Sequence, residues 1–387
     1  MVPEGWRKGT VAEGIKLVSG QHVEAQYVNE LGDGNPYLTG PSDFPNGAII
    51  VSKYTDQGRK FSQKGDILIT VKGSGTGKVI ESDNNYAISR QLMAIRATDF
   101  DPRFTYYNVV SSLSRYEGAA AGLIPGISRE DVLGTPLLIP PLPEQKKIAQ
   151  ILSTWDQAIT VTERLLENSQ KRKKGLMQQL LTGKKRLPGF EREWEGTKLE
   201  KLIRESRKVK IDNPSEIELL TVKLHYKGVV PSGKYPNPTT NGRPYFRRNA
   251  GELIIGRQNI HNGGVGLVPP ECDGLIASNA ISSFEPRECA DIRFILYLMS
   301  TDRFRFIVDN LSGGTGQKEL STRELLKLSI KVPSLAEQNA IAEVLCKADS
   351  EIQCISSLLG QLNSEKKALM QQLLTGKRRV NVEMEAA

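Results

Sequence analysis

One stretch of this chain is written twice in the same register. The segment from Leu142-Pro143-Glu144-Gln145 to Leu176-Met177-Gln178-Gln179-Leu180-Leu181-Thr182-Gly183-Lys184 returns 193 positions later as Leu335-Ala336-Glu337-Gln338 to Leu369-Met370-Gln371-Gln372-Leu373-Leu374-Thr375-Gly376-Lys377. No insertion separates the copies, so the plan is a variable half, a repeated segment, a second variable half and the repeat again. Upstream the likeness thins to an outline. Trp6 with Gly9-Thr10 matches Trp194 with Gly196-Thr197, and Gly65-Asp66-Ile67-Leu68-Ile69 matches Gly251-Glu252-Leu253-Ile254-Ile255.

The repeated segment reads as a long helix. Ile148, Leu152, Trp155, Ile159, Thr162, Leu166, Ser169, Lys173, Leu176 and Leu180 fall at alternating steps of four and three, which is a heptad stripe. Ile341, Leu345, Ala348, Ile352, Ile355, Leu359, Leu362, Lys366, Leu369 and Leu373 repeat it. Pro143 opens the first copy, while Ser334 and Glu337 suggest a capping box for the second. Gly183 and Gly376 stop the helices, with basic residues just beyond. Some 39 residues at about 1.5 Å each give nearly 60 Å. Two such stripes most simply bury each other as an antiparallel coiled coil, the alternative being that each helix packs on its own domain. Lys173 and Lys366 interrupt the stripes, and snorkelling, register setting and contact with a partner are all open to them.

Residues 1–139 and 184–332 are rich in short strand-like runs, among them Ala48-Ile49-Ile50-Val51, Asp66-Ile67-Leu68-Ile69-Thr70-Val71 and Glu252-Leu253-Ile254-Ile255, punctuated by Gly, Pro and Asn. Each also contains one helical pattern, at 102–114 and 291–309. The fold class expected is α+β: two mixed domains separated by the long helices of 140–183 and 333–376, with a short tail at 377–387. The balance of 52 Lys+Arg against 44 Asp+Glu, a net charge of +8, favours polyanionic partners. Neither an apolar run of membrane-spanning length nor a secretory leader is apparent, and the four cysteines have no C-x-x-C spacing, which suggests a cytoplasmic protein without a zinc site.

Several motifs resemble catalytic ones and fail on spacing. Gly73-Ser74-Gly75-Thr76-Gly77-Lys78 lacks the first glycine and the hydroxyl residue of a P-loop. Glu144-Gln145-Lys146 could suggest a metal-dependent nuclease, but the second copy reads Glu337-Gln338-Asn339, so both glutamates are better explained as helix-start residues that favour the positive dipole end. No catalytic constellation and no metal ligand set is assigned. The variable halves instead interleave basic, polar and aromatic groups suited to DNA. The candidate contacts are Tyr37, Thr39, Lys53, Tyr54, Arg59 and Lys60, the loop residues Lys72, Ser74, Thr76 and Lys78, then Lys223, Tyr226, Arg243, Tyr245, Arg247 and Arg248, and finally Arg257, Gln258, Asn259 and His261.

These elements together resemble the specificity subunits of type I restriction-modification systems. The resemblance covers essentially the whole chain and rests on Pro-Leu-Pro-Glu-Gln at 141–145, the two Leu-Met-Gln-Gln-Leu-Leu-Thr-Gly-Lys endings, Arg186-Leu187-Pro188-Gly189-Phe190 and the duplicated domain order. It implies a non-catalytic host-defence subunit with two target recognition domains, reading a bipartite asymmetric site in double-stranded DNA. It further implies two modification subunits that carry S-adenosylmethionine and methylate adenine, and restriction subunits that use ATP and Mg; no cofactor would be bound by this chain. Ala336 in place of a proline and Gly360 within the second helix depart from the pattern. Rival readings are a nuclease acting alone and a basic coiled-coil adaptor without sequence preference.

Overall fold

The computed structural model describes residues 2–73, 75–119, 126–237, 244–311 and 319–382. The first half contains strands β1 (Arg7–Thr10), β2 (Ile15–Ser19), β3 (Asn35–Leu38), β4 (Tyr54–Thr55), β5 (Phe61–Ser62), β6 (Ile67–Thr70), β7 (Val79–Glu81), β8 (Tyr86–Ile88) and β9 (Leu92–Ala97). Helices α1 (Pro102–Ser111), α2 (Leu113–Ala119) and α3 (Arg129–Leu133), strand β10 (Pro136–Ile139) and the long α4 (Leu142–Leu180) follow. The second half begins with β11 (Glu195–Lys198), β12 (Ile203–Glu205), β13 (Leu220–Val222), β14 (Val229–Pro231) and β15 (Tyr245–Arg247). It continues through β16 (Leu253–Gly256), β17 (Val265–Leu267), β18 (Ile276–Ser278) and β19 (Ile281–Pro286). Helices α5 (Ile292–Met299), α6 (Asp302–Leu311) and α7 (Thr322–Lys327), strand β20 (Ser329–Val332) and the long α8 (Leu335–Leu374) complete it.

The chain divides into two units, and both boundaries cut through a long helix. One unit comprises residues 1–163 with 357–387, the other residues 164–356. Each therefore holds the start of one long helix and the end of the other. The units share a plan that the sequence retains only in outline. In the first, the sheet order is β2-β9-β6-β7 with a separate β1-β10 pair; in the second it is β12-β19-β16-β17 with a separate β11-β20 pair. The matched Gly-acid-Leu/Ile runs lie at the same place in both sheets. Gly65 and Gly251 turn at φ of +87° and +86°, conformations that favour glycine, and deliver a buried acid to the strand edge. Asp66 there takes a two-pronged bond from Arg96 at 2.7 and 2.9 Å, whereas Glu252 accepts from Ser283 at 2.7 Å.

Every residue of both heptad stripes is buried or half-buried. In the first unit Ile148 and Leu152 of α4 share a core with Leu369, Leu373 and Leu374 of α8. In the second, Leu176 and Leu180 of α4, with Leu181 just beyond it, share a core with Ile341, Ala342 and Leu345 of α8. The partner in α8 retreats as α4 advances, so the helix segments run antiparallel in each unit. The interrupting lysines each pair with an aspartate of the facing long helix. Lys366 pairs with Asp156 and lies 5.6 Å from the Tyr107 ring centre, while Lys173 pairs with Asp349 and lies 5.4 Å from that of Tyr297. The same aspartates accept the tyrosine hydroxyls, each at 2.6 Å. Burial first, then the neighbouring carboxylate, raises the Tyr107 pKa to about 12 and that of Tyr297 further. One aspartate thus ties a domain helix and the two long-helix segments together in each unit.

Both glutamates of the repeated Glu-Gln lie in the first turn of a long helix, as expected, and the pair has a tethering role besides. Glu144 accepts the Trp6 indole N–H at 3.0 Å and a two-pronged bond from Arg379; Glu337 receives the same fork from Arg186. Only a 3.5 Å contact joins the Glu337 amide to Ser334 Oγ, too long for a strong cap. Gln145 donates to the Pro140 carbonyl and accepts from the amide of Asp101, the cap of α1; Gln338 does the same with Pro333 and Asp291, the cap of α5. Gly183 and Gly376 end the helices at φ of +69° and +66°, as expected, and α8 runs on through Gly360.

Three expected elements differ, the first being the helix expected over 102–114, which breaks at Ser112 into α1 and α2. Ala48–Val51 has no ladder partner: Ile49 and Val51 pack onto a small core, but Ile50 is exposed and its amide donates to Asp43. The single helix expected over 291–309 breaks at Ser300, whose amide and hydroxyl turn back onto α5, leaving α6 to start afresh.

Candidate nucleic-acid interface

In the first unit three loops converge beyond β3 and β6. The Ser89 hydroxyl donates to the Thr39 carbonyl at 2.7 Å, the Val71 amide donates to Gln91, and a Cβ on Gly75 would meet the Pro41 ring. Two of them border a groove of about 540 Å³ to which His22, Glu30, Thr39, Lys53, Arg90 and Gln91 contribute. The groove brings together imidazole, hydroxyl, amide and cationic groups with the single carboxylate of Glu30, a donor and acceptor set of the kind used to contact base edges. Tyr37 also borders it, but the residue is only 4% exposed and burial raises its pKa, so it supports the wall.

Lys72 and Lys78 stand exposed at the feet of the glycine-rich loop. That loop joins antiparallel β6 to β7 and does not lead from a strand into a helix, which removes the remaining likeness to a phosphate-cradling P-loop. Thr76 turns inward to close the loop through Gly73. Tyr54 is half-buried beside Asn29, and Arg59 and Lys60 are exposed between β4 and β5. Ser74 lies outside the described residues. His22 and the adjacent Arg90-Gln91 pair were not legible as candidates because they sit far apart in the chain, outside any basic-aromatic run. Only the convergence of turns brings them together.

In the second unit the candidates fall on separate elements. Gln258 and Asn259 are exposed in the turn after β16, with half-buried His261 bonded to the Asn262 side chain at 2.9 Å and Arg257 paired with Glu319 at 3.2 Å. Against this turn lies the tip of the β13–β14 hairpin, with Lys223 exposed. Tyr226, by contrast, points into the unit. Its hydroxyl donates to the Met299 carbonyl at 2.9 Å, and burial raises its pKa to about 12.

Tyr245 and Arg247 lie on β15, paired with β18, and only Arg247 is fully exposed. Arg248 is 2% exposed and donates to the Ile281 carbonyl at 2.7 Å, so it braces the fold. Desolvation lowers its pKa. Arg243 lies outside the described residues.

Two units of one plan, each exposing loop-borne basic and amide groups and each built on both long helices, define a duplicated, helix-linked recognition protein. The chain belongs to the family of the type I restriction modification DNA specificity domain, whose model matches residues 3–168 and 235–364. It is thus a specificity subunit of a type I restriction-modification system. The MjaVIII type I restriction enzyme specificity subunit of Methanocaldococcus jannaschii is 26% identical, over 98% of this chain and 94% of that protein. A putative MjaX specificity subunit of the same organism is 28% identical over 62% of this chain and 59% of its own length. Among solved structures, a type I S subunit from M. genitalium superposes with a TM-score of 0.64 at 19% identity, covering 96% of each chain. A chain from a study of type I R-M complex assembly and conformational transition gives 0.58 at 17% identity, covering 98% of this chain and all of that one. No helix among the described residues is long and apolar enough to cross a membrane.

Proposed function

We propose that the chain reads a bipartite, asymmetric site in double-stranded DNA, one half per unit, and recruits two modification subunits together with restriction subunits. The duplicated junction carries this reading. Glu144–Arg379 with Asp156–Lys366 in one unit and Glu337–Arg186 with Asp349–Lys173 in the other are the same construction made twice. One chain with two like-built junctions suits two copies of one partner. The exposed loops, by contrast, carry different residues in the two units, which suits two different half-sites. The chain itself acts as a non-catalytic reader, and S-adenosylmethionine, ATP and Mg belong to the partner subunits.

A net charge of +8 is modest for a protein that must grip two half-sites through phosphate contacts at cellular salt. Part of the grip therefore comes from the partners. A nuclease reading finds no support in Glu144, whose carboxylate is committed to Trp6 and Arg379 while Lys146 stays exposed. Mapping methylated adenines in cells that express the chain with its cognate modification subunits tests the proposal. The expected motif has two specified parts, a fixed unspecified gap and a methylated adenine in each part. A single contiguous motif would count against it.

A further inference from the structure

The β13–β14 hairpin ends in a turn that its residue types disfavour. His225 and Tyr226 occupy the two central positions at φ of +59° and +56°, and among the described residues no other non-glycine has positive φ. The Lys227 amide reaches back to the Leu224 carbonyl at 3.4 Å, and the Lys223 amide donates to Gly228 at 2.9 Å. A two-residue turn with both central residues left-handed is the place for Asn-Gly or Gly-Gly. A histidine followed by a tyrosine is strained there, because Cβ crowds the following carbonyl.

The turn is held from outside itself. The His225 and Tyr226 amides donate to the carbonyls of Asn262 and Gly263, each at 2.8 Å, and the Tyr226 hydroxyl anchors to Met299. Gly263 is required by the close fit, since a Cβ there would come within 2.7 Å of the Tyr226 ring. Tyr226 thus contributes to the fold. The His225 side chain does not, because it is exposed together with Lys223, Leu224 and Lys227. The backbone strain is held by these bonds, yet the side chain at the apex gains no packing from it, which marks His225 as a position shaped by what it meets.

We propose that this hairpin tip is the element with which the second unit reads base edges, His225 being the specificity-determining residue. The inference rests on the DNA-reading function proposed above. A two-stranded ribbon fits the major groove, imidazole can donate to or accept from a base edge, Leu224 suits a thymine methyl, and the flanking lysines suit phosphates. Gln258 and Asn259 stand exposed in the turn onto which the hairpin is bonded.

The test compares wild type, His225→Gly and His225→Asn, each complexed with the cognate modification subunits. Binding is measured at one salt concentration to the target defined by methylation mapping and to a duplex with the second half-site scrambled. Glycine and asparagine tolerate the turn better than histidine, so both variants are expected to keep or raise the thermal midpoint. They are expected to bind the target about ten- to a hundredfold more weakly, with the scrambled duplex little changed. Discrimination retained in both variants overturns the inference, as does an equal loss on both duplexes, which would make the tip a phosphate contact. A wild-type complex that fails to discriminate overturns the reading of the chain as a specific reader, a different result from either.

Discussion

Adding one heptad to each long helix, between Glu163 and Arg164 in α4 and between Ser356 and Ser357 in α8, is expected to widen the gap between the two half-sites by about three base pairs. Each half-site should stay readable. The insertions fall where one unit ends and the other begins, so the residues that pair inside each unit keep their partners. Asp156 keeps Lys366, Lys173 keeps Asp349, and both stripes continue in phase through the added residues. Seven residues add about 10.5 Å of helix, close to three base-pair steps of about 3.4 Å. The same heptad placed in α4 alone leaves residues without a facing partner, and a lower thermal midpoint is expected. Methylation mapping reads the gap directly; an unchanged gap with both insertions in place would show that the helices do not set it.

Replacing Arg96 with alanine is expected to cost the first unit about 3–5 kcal/mol, because it strands a charge inside the fold. Asp66 is 2% exposed, and its carboxylate is held by the Arg96 fork and by the Gln63 amide at 2.8 Å. With the guanidinium gone, one backbone donor remains to compensate a buried anion. The double substitution Arg96→Met with Asp66→Asn removes the charge and keeps an acceptor for Gln63, so most of the loss should be recovered. Denaturant unfolding of the three chains checks this. A small loss in the single variant, or none recovered in the double, would mean that solvent reaches the pair.

The repeated parts of this protein are legible because helical periodicity is local and is written twice. The stripes, the stops at Gly183 and Gly376 and the paired Gly65-Asp66 and Gly251-Glu252 runs all follow from residues near one another in sequence. What the Glu-Gln pairs do is not legible, since Glu144 meets Arg379 and Glu337 meets Arg186 only after the chain has returned on itself. The Ala48–Val51 run alternates like a strand but finds no neighbouring edge, and periodicity is silent on that. The candidate interface suffers most. Arg248 belongs to a basic-aromatic cluster and is buried, while His22 and Arg90 carry no local signature, and His225 sits unassigned between the candidates Lys223 and Tyr226. The two left-handed residues at the hairpin tip are a feature of backbone conformation, which side-chain patterning does not announce.

The central claim is that each unit reads its own half of a bipartite site. The most direct measurement replaces residues 1–139 with the corresponding domain of another member of the family, leaves both long helices intact, and maps methylated adenines in cells that also express the modification subunits. The account predicts that one half of the motif changes, while the other half and the gap between them stay as they were. A motif that changes in both halves, or in neither, would contradict it.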